Sequence, residues 1–344
     1  MCAVIKLLKD LCTLDGVPGY EKEVREYIAQ AARPYANEIF TDALGSLFVF
    51  KSGQRTPTRP IMLCAHMDEV GFLVKSITED GMLKIVASGG IDPRVLIGRK
   101  MQVGKSKIPG IISLKAIHLT TIEERKKAPE LKTLYIDIGA TDKESAEKLV
   151  RVGDYAVFDS EFASFGQNCI KGKALDDRIG CAVLLKLLEC ELAYDCWFVF
   201  TTGEEIGARG AMSAIHRLNP GCIGVVDSTT ASDVPDNPAH LRSTAMREGA
   251  VISLIDSGAV YDRTLRQRIT DAADRECVKW QYRTRIEGAT DASAYVYGTG
   301  AKMFGLSTPV RYIHCANSVA YLPDIAAVQK IAALFIEEAG GMNA

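Results

Sequence analysis

Apolar residues at Val4, Ile5, Leu7, Leu8 and Leu11, broken by Lys6, Lys9 and Asp10, predict an amphipathic helix near residues 3–13. A second helix is predicted near 20–33, followed by strands at "SLFVF" (46–50) and "IMLCAH" (61–66). From about residue 166 the pattern alternates between helix and strand. Helix "RIGCAVLLKLLECEL" precedes strand "CWFVFTT", helix "GARGAMSAIHRL" precedes strands "CIGVVD" and "GAVISLI", and a helix near 262–276 precedes strand "VKWQYRTR". A short helix near 290–298, strand "KMFGL" and a closing helix from about 323 follow. Alternation of this kind predicts an α/β fold, a mixed sheet layered with helices on both faces.

Between these parts the pattern changes. Short β-like runs ("GFLVKSI", "MLKIVA", "GIISLKAIHL", "TLYIDIG", "YAVFD") are separated by glycine, proline and charged turns. Only "TDKESAEKLV" reads as helical there, with Thr141 and Glu144 spaced as a capping box. The division this predicts is a main domain of residues 1–68 and 164–344, with a small β-rich domain inserted at 69–163.

Composition narrows the class. The 344 residues, 47% hydrophobic and 24% charged, suit a soluble globular protein. With 41 basic against 43 acidic residues and no basic block, neither nucleic acid nor an anionic membrane is implied, and a peptide or small-molecule substrate suits better. The N-terminal helix is too interrupted by charge for a signal peptide, and no stretch approaches the roughly 18 apolar residues of a membrane span. Ten cysteines without a CxxC pair, among them Cys64, Cys181, Cys190, Cys196 and Cys222 in apolar runs, read as buried reduced thiols of a cytoplasmic protein.

Three apolar strands run into metal-type ligands: "MLCAHMDE" gives His66 and Asp68, "FVFTTGEE" gives Glu204 and Glu205, and "IGVVDS" gives Asp227. In an open α/β sheet the carboxyl edge is where ligands bind, so residues distant in sequence meet there. Asp176 and Asp177 open a helix, and His314 follows an apolar pair in "RYIHCANS". Each has a plainer reading: a hydrogen-bonded His–Asp pair, a helix N-cap, a turn support, a core histidine. Their joint placement favours a mixed N/O site for zinc, cobalt or manganese. Adjacent glutamates on extended chain would face opposite ways, one free to ligate and the other to act as base. His118, His216 and His240 read as structural or solvated.

In order, "AHMDEVGF", "GKALDDRIG", "TTGEEIGARGA", "VVDS", "GATDAS" and "RYIH" resemble the M42 family of metallo-aminopeptidases, which includes glutamyl and deblocking aminopeptidases and the TET peptidases. The resemblance covers nearly the whole chain. It implies a catalytic domain with two divalent metal ions (zinc, cobalt or manganese) and an inserted dimerisation domain. It further implies that His66, Asp176 and Asp227 hold one ion and Asp176, Glu205 and His314 the other, with Asp176 bridging. Asp68 would orient His66, and Glu204 would act as general base on a metal-bridging water. Asp291 is assigned to the substrate pocket, although it also suits a helix N-cap. The expected reaction is removal of N-terminal residues from short peptides by a homo-oligomer, either a dimer or a dodecameric shell.

Three rivals stay open at this point. An M20-type deacylase or dipeptidase would share the metal motifs but carry more helix in its insertion than 69–163 suggests. A glycosidase would use two carboxylates without metal. An inactive scaffold would have lost a ligand or the base, and none is missing.

Overall fold

The computed structural model describes residues 2–286, 288–298 and 300–342. Helices α1 (Cys2–Thr13) and α2 (Lys22–Ala32) open the chain, followed by β1 (Glu38–Thr41), β2 (Leu47–Lys51) and β3 (Ile61–His66). The chain then leaves the sheet and winds a closed barrel from β4 (Gly71–Ile77), β5 (Leu83–Ser88), β6 (Lys100–Val103), β7 (Ile108–Ser113), β8 (Tyr135–Asp137) and β9 (Tyr155–Phe158). Phe72, Val74, Met101, Ile112, Ile136 and Phe158 fill its interior. Closure of the barrel removes the open edges that such short strands would otherwise expose.

Two one-turn helices interrupt the barrel, α3 (Ile122–Arg125) and α4 (Lys143–Glu147). At α3, which the hydrophobic pattern does not predict, Thr121 and Glu124 close a capping box. At α4 the box lies one residue later than expected. Asp142 Oδ1 accepts the Ser145 N–H at 2.8 Å and Ser145 Oγ accepts the Asp142 N–H at 3.2 Å, because a carboxylate caps more strongly than the Thr141 hydroxyl.

The chain returns through β10 (Ala163–Phe165) and β11 (Cys169–Gly172), then α5 (Leu175–Leu188), β12 (Cys196–Thr201), α6 (Arg209–Leu218) and β13 (Cys222–Thr230). β14 (Ala250–Ile252), α7 (Arg263–Arg275), β15 (Trp280–Tyr282), α8 (Ala292–Tyr295), β16 (Lys302–Arg311), β17 (Ser318–Tyr321) and α9 (Leu322–Met342) complete it. The eleven-stranded sheet runs β1-β2-β12-β3-β13-β16-β17-β11-β10, with β14 on β16 and β15 on β14. Its centre, β12, β3, β13 and β16, is parallel and its flanks are antiparallel apart from the parallel pair β14–β15, the mixed α/β architecture expected.

Period-two alternation divides the core. Ile61, Leu63, Ala65, Phe198 and Phe200 face Leu8, Val24, Leu184 and Val328 on one side. Met62, Cys64 and Val199 face Ala211, Ile215 and Tyr295 on the other. Helix α5 is buried almost all round, as its continuous apolar sequence requires. The described cysteines are free thiols, and most are buried. Cys190, just past the end of α5, is exposed, contrary to expectation. No described helix is long and apolar enough to cross a membrane.

Candidate metal centre

The parallel strands bring their carboxyl ends to one edge. β3 ends at His66, and β12 ends at Thr201 just before Glu204. Asp227 is not at a strand end as the pattern suggested. β13 pairs with β3 only as far as Val225, then continues beside β16 to Thr230, and Asp227 sits where the two partners part. Nor are Glu204 and Glu205 on extended chain. Gly203, at φ +62°, starts a tight turn in which the N–H groups of Gly207 and Ala208 return to the Glu204 carbonyl at 2.8 and 3.0 Å. The turn, rather than strand alternation, separates the two side chains.

At the head of α5 the two aspartates divide. Asp176 (φ −85°, ψ 109°) and Asp177 (φ −120°, ψ 43°) are non-helical and joined by a cis peptide. Asp177 Oδ1 accepts the Gly180 N–H at 2.9 Å, so the N-cap role belongs to Asp177. Asp176 is left to face two histidines. His314, at φ 58°, stands in the left-handed region together with Tyr312, a placement that persists only when surroundings enforce it. Part of that enforcement is a contact of 2.7 Å between His314 Nδ1 and the Gly90 carbonyl, in the turn after β5 of the barrel.

Asp176 lies at the middle of the cluster. His66 Nε2 is 3.2 Å from Asp176 Oδ1 and 3.8 Å from Asp227 Oδ1. His314 Nε2 is 3.2 Å from Asp176 Oδ2 and 3.1 Å from Glu205 Oε1. The donor atoms of His66, Asp177 and Asp227 all lie within 4.8 Å of one another, as do those of His66, Asp176 and Glu205. Asp177 thus joins the potential donors, a role its reading as a cap had hidden.

The electrostatics demand positive charge. Burial and then the neighbouring Asp176 push Asp227 well above the usual carboxylate range. Burial does the same to Glu204, with Asp227, Asp291 and Glu205 adding to the rise against the opposing His66. Burial opposes charge on His66 too, but its bonds to Asp176 and Asp68 prevail and raise it well above an ordinary histidine. His314, likewise paired with Asp176 and Glu205 against the cost of burial, is pushed up to about 11. The imidazoles of His66 and His314 are outnumbered by the carboxylates around them.

A divalent ion fits this donor set. Asp177 Oδ2 and Glu205 Oε1 are buried without a hydrogen-bond partner, the latter near His314 Nε2 but poorly aligned with it. Metal bonds of about 2.0–2.1 Å place tetrahedral donors about 3.3 Å apart, within the span of separations found here. The mixed imidazole and carboxylate chemistry suits borderline ions.

Asp68, fully buried, stands behind this cluster. Its main-chain carbonyl lies 3.1 Å from His66 Nδ1, closer than its carboxylate at 3.5 Å, so it orients the imidazole chiefly through the backbone. Its two carboxylate oxygens accept the N–H groups of Glu204 and Glu205.

The family model for M42 glutamyl aminopeptidase matches residues 45–331. The chain belongs to the M42 peptidase family. It is similar to the glutamyl aminopeptidase of Lactococcus lactis, 30% identical over 94% of this chain and 92% of that protein. Among solved structures it is similar to an aminopeptidase of Desulfurococcus kamchatkensis, with TM-score 0.93, 32% identity, and coverage of 98% of this chain and 95% of that one. It is also similar to the Pyrococcus horikoshii TET1 peptidase, described as assembling into a tetrahedron or a large octahedral shell. There the TM-score is 0.84, with 31% identity over 96% of this chain and 98% of that one. The protein is a metal-dependent aminopeptidase.

A cavity of 410 Å³ opens over the cluster of this M42 peptidase, walled by Ser228 to Thr230, Arg283, Gly288 to Thr290 and Ser293. Asp291 is not on that wall. It is buried behind it, where Oδ2 accepts the Thr201 hydroxyl at 2.5 Å, and it makes no N-cap bond to α8. Burial holds its carboxyl up at about 6. Thr290 and Ser293, on either side of Asp291, face the cavity in its place. Arg283, which sequence reasoning passed over, is the other wall residue of note; its one signal is a charge directly after a short strand.

Proposed function

We propose that this aminopeptidase works on short peptides at a centre of two divalent ions, zinc, cobalt or manganese, one held by His66, Asp176 and Asp227 and the other by Asp176, Glu205 and His314. The observation that carries this reading is the position of Asp176, which turns one oxygen to His66 and the other to His314, each at 3.2 Å. Bound ions would polarise the scissile carbonyl and make the attacking water acidic near neutral pH. Glu204 lines the cavity, and no described side chain donates a hydrogen bond to its carboxylate, which leaves it free to move protons. It takes a proton from the attacking water and delivers it to the leaving amine nitrogen. Asp68 keeps Glu204 and Glu205 in place through their backbone. A free α-amino group anchored beside this acidic cluster would restrict cleavage to the first residue.

The barrel is proposed as the dimerisation unit of a cytoplasmic homo-oligomer, within the inserted domain 69–163. Its surface carries exposed apolar side chains, including Val86, Ile111, Leu149 and Val152, that a partner subunit would cover. The deciding experiment is a screen of aminoacyl-p-nitroanilides against apo protein reconstituted with each metal. Release of p-nitroaniline supports the reading, whereas cleavage confined to N-acylated amino acids would support a deacylase instead.

A further inference from the structure

β13 begins as a central strand and ends as an edge strand. From Cys222 to Val225 it pairs with β3 on one side and β16 on the other. β3 then ends at His66, and the chain beyond it turns toward β12, where the Met67 N–H meets the Thr201 carbonyl at 2.8 Å. Among the described residues no strand takes the place of β3, while β13 runs on beside β16 to Thr230. The vacated side is the cavity, which Asp227, Ser228, Thr229 and Thr230 all line.

Main-chain groups alternate sides along a strand. The Ala231 N–H bonds to the Val310 carbonyl of β16 at 2.8 Å, so the groups of Ser228 and Thr230 face the cavity. Two of those four are taken: Asp227 Oδ1 accepts the Ser228 N–H at 2.6 Å, and the Thr230 carbonyl accepts the Thr244 hydroxyl at 2.9 Å. The Ser228 carbonyl and the Thr230 N–H are left, one acceptor and one donor on either side of Thr229. In a parallel ladder a single residue opposite Thr229 satisfies both, through its own N–H and carbonyl.

Direction follows from burial. Ser228 and Thr229 are buried and Thr230 is exposed, so β13 leads from the metal centre out to solvent. A peptide whose first carbonyl reaches that centre beside Asp227 must leave the same way, parallel to β13. Two residues of parallel strand span about 6.6 Å, which sets the third residue of the peptide opposite Thr229. We propose that this free edge binds the substrate backbone beyond the cut bond: the third residue donates its N–H to the Ser228 carbonyl and accepts the Thr230 N–H, adding a short parallel strand to the sheet. This deepens the aminopeptidase reading and rests on it.

The same alternation supplies the test. Tetrapeptide amides carry the N-terminal residue favoured in the p-nitroanilide screen, followed by three alanines, and are N-methylated at the third or the fourth residue. Release of the first residue by the metal-loaded enzyme is measured. N-methylation at the third residue removes the paired N–H and should lower kcat/KM by about 10-fold or more, the cost of leaving a main-chain acceptor unpaired. At the fourth residue, whose N–H faces away, it should leave kcat/KM near that of the parent peptide. Thr230→Pro deletes the edge donor while sparing the ladder with β16. It should lower the ratio of tetrapeptide to p-nitroanilide kcat/KM by about 10-fold, because the p-nitroanilide has no third residue. That ratio does not depend on how much of the variant has folded, and Thr230→Ala, which keeps the N–H, should hold it. Equal rates for the two N-methylated peptides, a larger loss at the fourth residue, or a ratio unmoved by Thr230→Pro overturns the proposal. If neither peptides nor p-nitroanilides are hydrolysed, it is the aminopeptidase reading that fails.

Discussion

Asp68 Oδ1 accepts the main-chain N–H of Glu204 at 3.0 Å, while its Oδ2 accepts that of Glu205 at the same distance. One buried carboxylate therefore fixes the turn that separates the Glu204 and Glu205 side chains. Asp68→Asn would set an amide NH₂ against one of these N–H groups and loosen the turn. Steady-state kinetics should record a fall in kcat/KM of about 10–100-fold, the usual cost of disturbing a residue that supports metal ligands.

Glu204 and Asp176 should respond differently to substitution. Glu204→Gln is expected to lower kcat by about 100-fold or more while leaving bound metal unchanged. Asp176→Ala should strip the metal, because both histidines lose their shared partner. Elemental analysis of the purified variants separates the two cases, and metal lost from Glu204→Gln would make Glu204 a ligand.

Exhaustive dialysis against EDTA should abolish peptide hydrolysis, and zinc, cobalt or manganese should restore it. The check is activity before and after readdition of each ion. Hydrolysis that persists without metal would contradict the assigned centre.

Asp324, at the start of α9, gives a pH prediction away from the metal. It is almost fully buried and accepts the N–H groups of Arg247 at 2.7 Å and Gly249 at 2.9 Å. Burial outweighs those bonds and pushes its carboxyl up from an ordinary 3.8 to about 6. A raised carboxyl adds stability that is complete below the unfolded value and is lost as pH rises through the folded one. Relative to Asp324→Asn, the native protein should therefore gain about 1–2 kcal/mol between pH 7 and about 4.5, measured by urea unfolding.

The exposed apolar residues of the barrel predict how assembly fails. Ile111 is 52% exposed on β7. Replacing Ile111 and Val86 together with glutamate is expected to reduce the sedimenting species to a smaller one while leaving the far-UV circular dichroism unchanged. An unchanged sedimentation coefficient would move the contact elsewhere.

Much of this was legible in the sequence because burial imposes pattern. β3, β12 and β13 are almost wholly buried, so their apolar runs stood out, and the residues that ended those runs marked the functional edge. What remained hidden depended on long-range geometry or local competition. The barrel closes by pairing β4 with β9, which pattern cannot foresee. The Glu204–Glu205 turn bends on Gly203, and Asp142 displaced Thr141 as a cap by carrying charge. Asp291 and Arg283 exchanged their expected importance because the chain folds one behind the cavity wall and the other onto it.

The contact between His314 and Gly90 has a practical side for protein engineering. A graft that swaps this barrel for that of a relative would also replace the carbonyl steadying His314. The junction in such a chimera should therefore preserve the Gly89–Gly90 turn, or the transplanted module will arrive without one of the struts of the catalytic half.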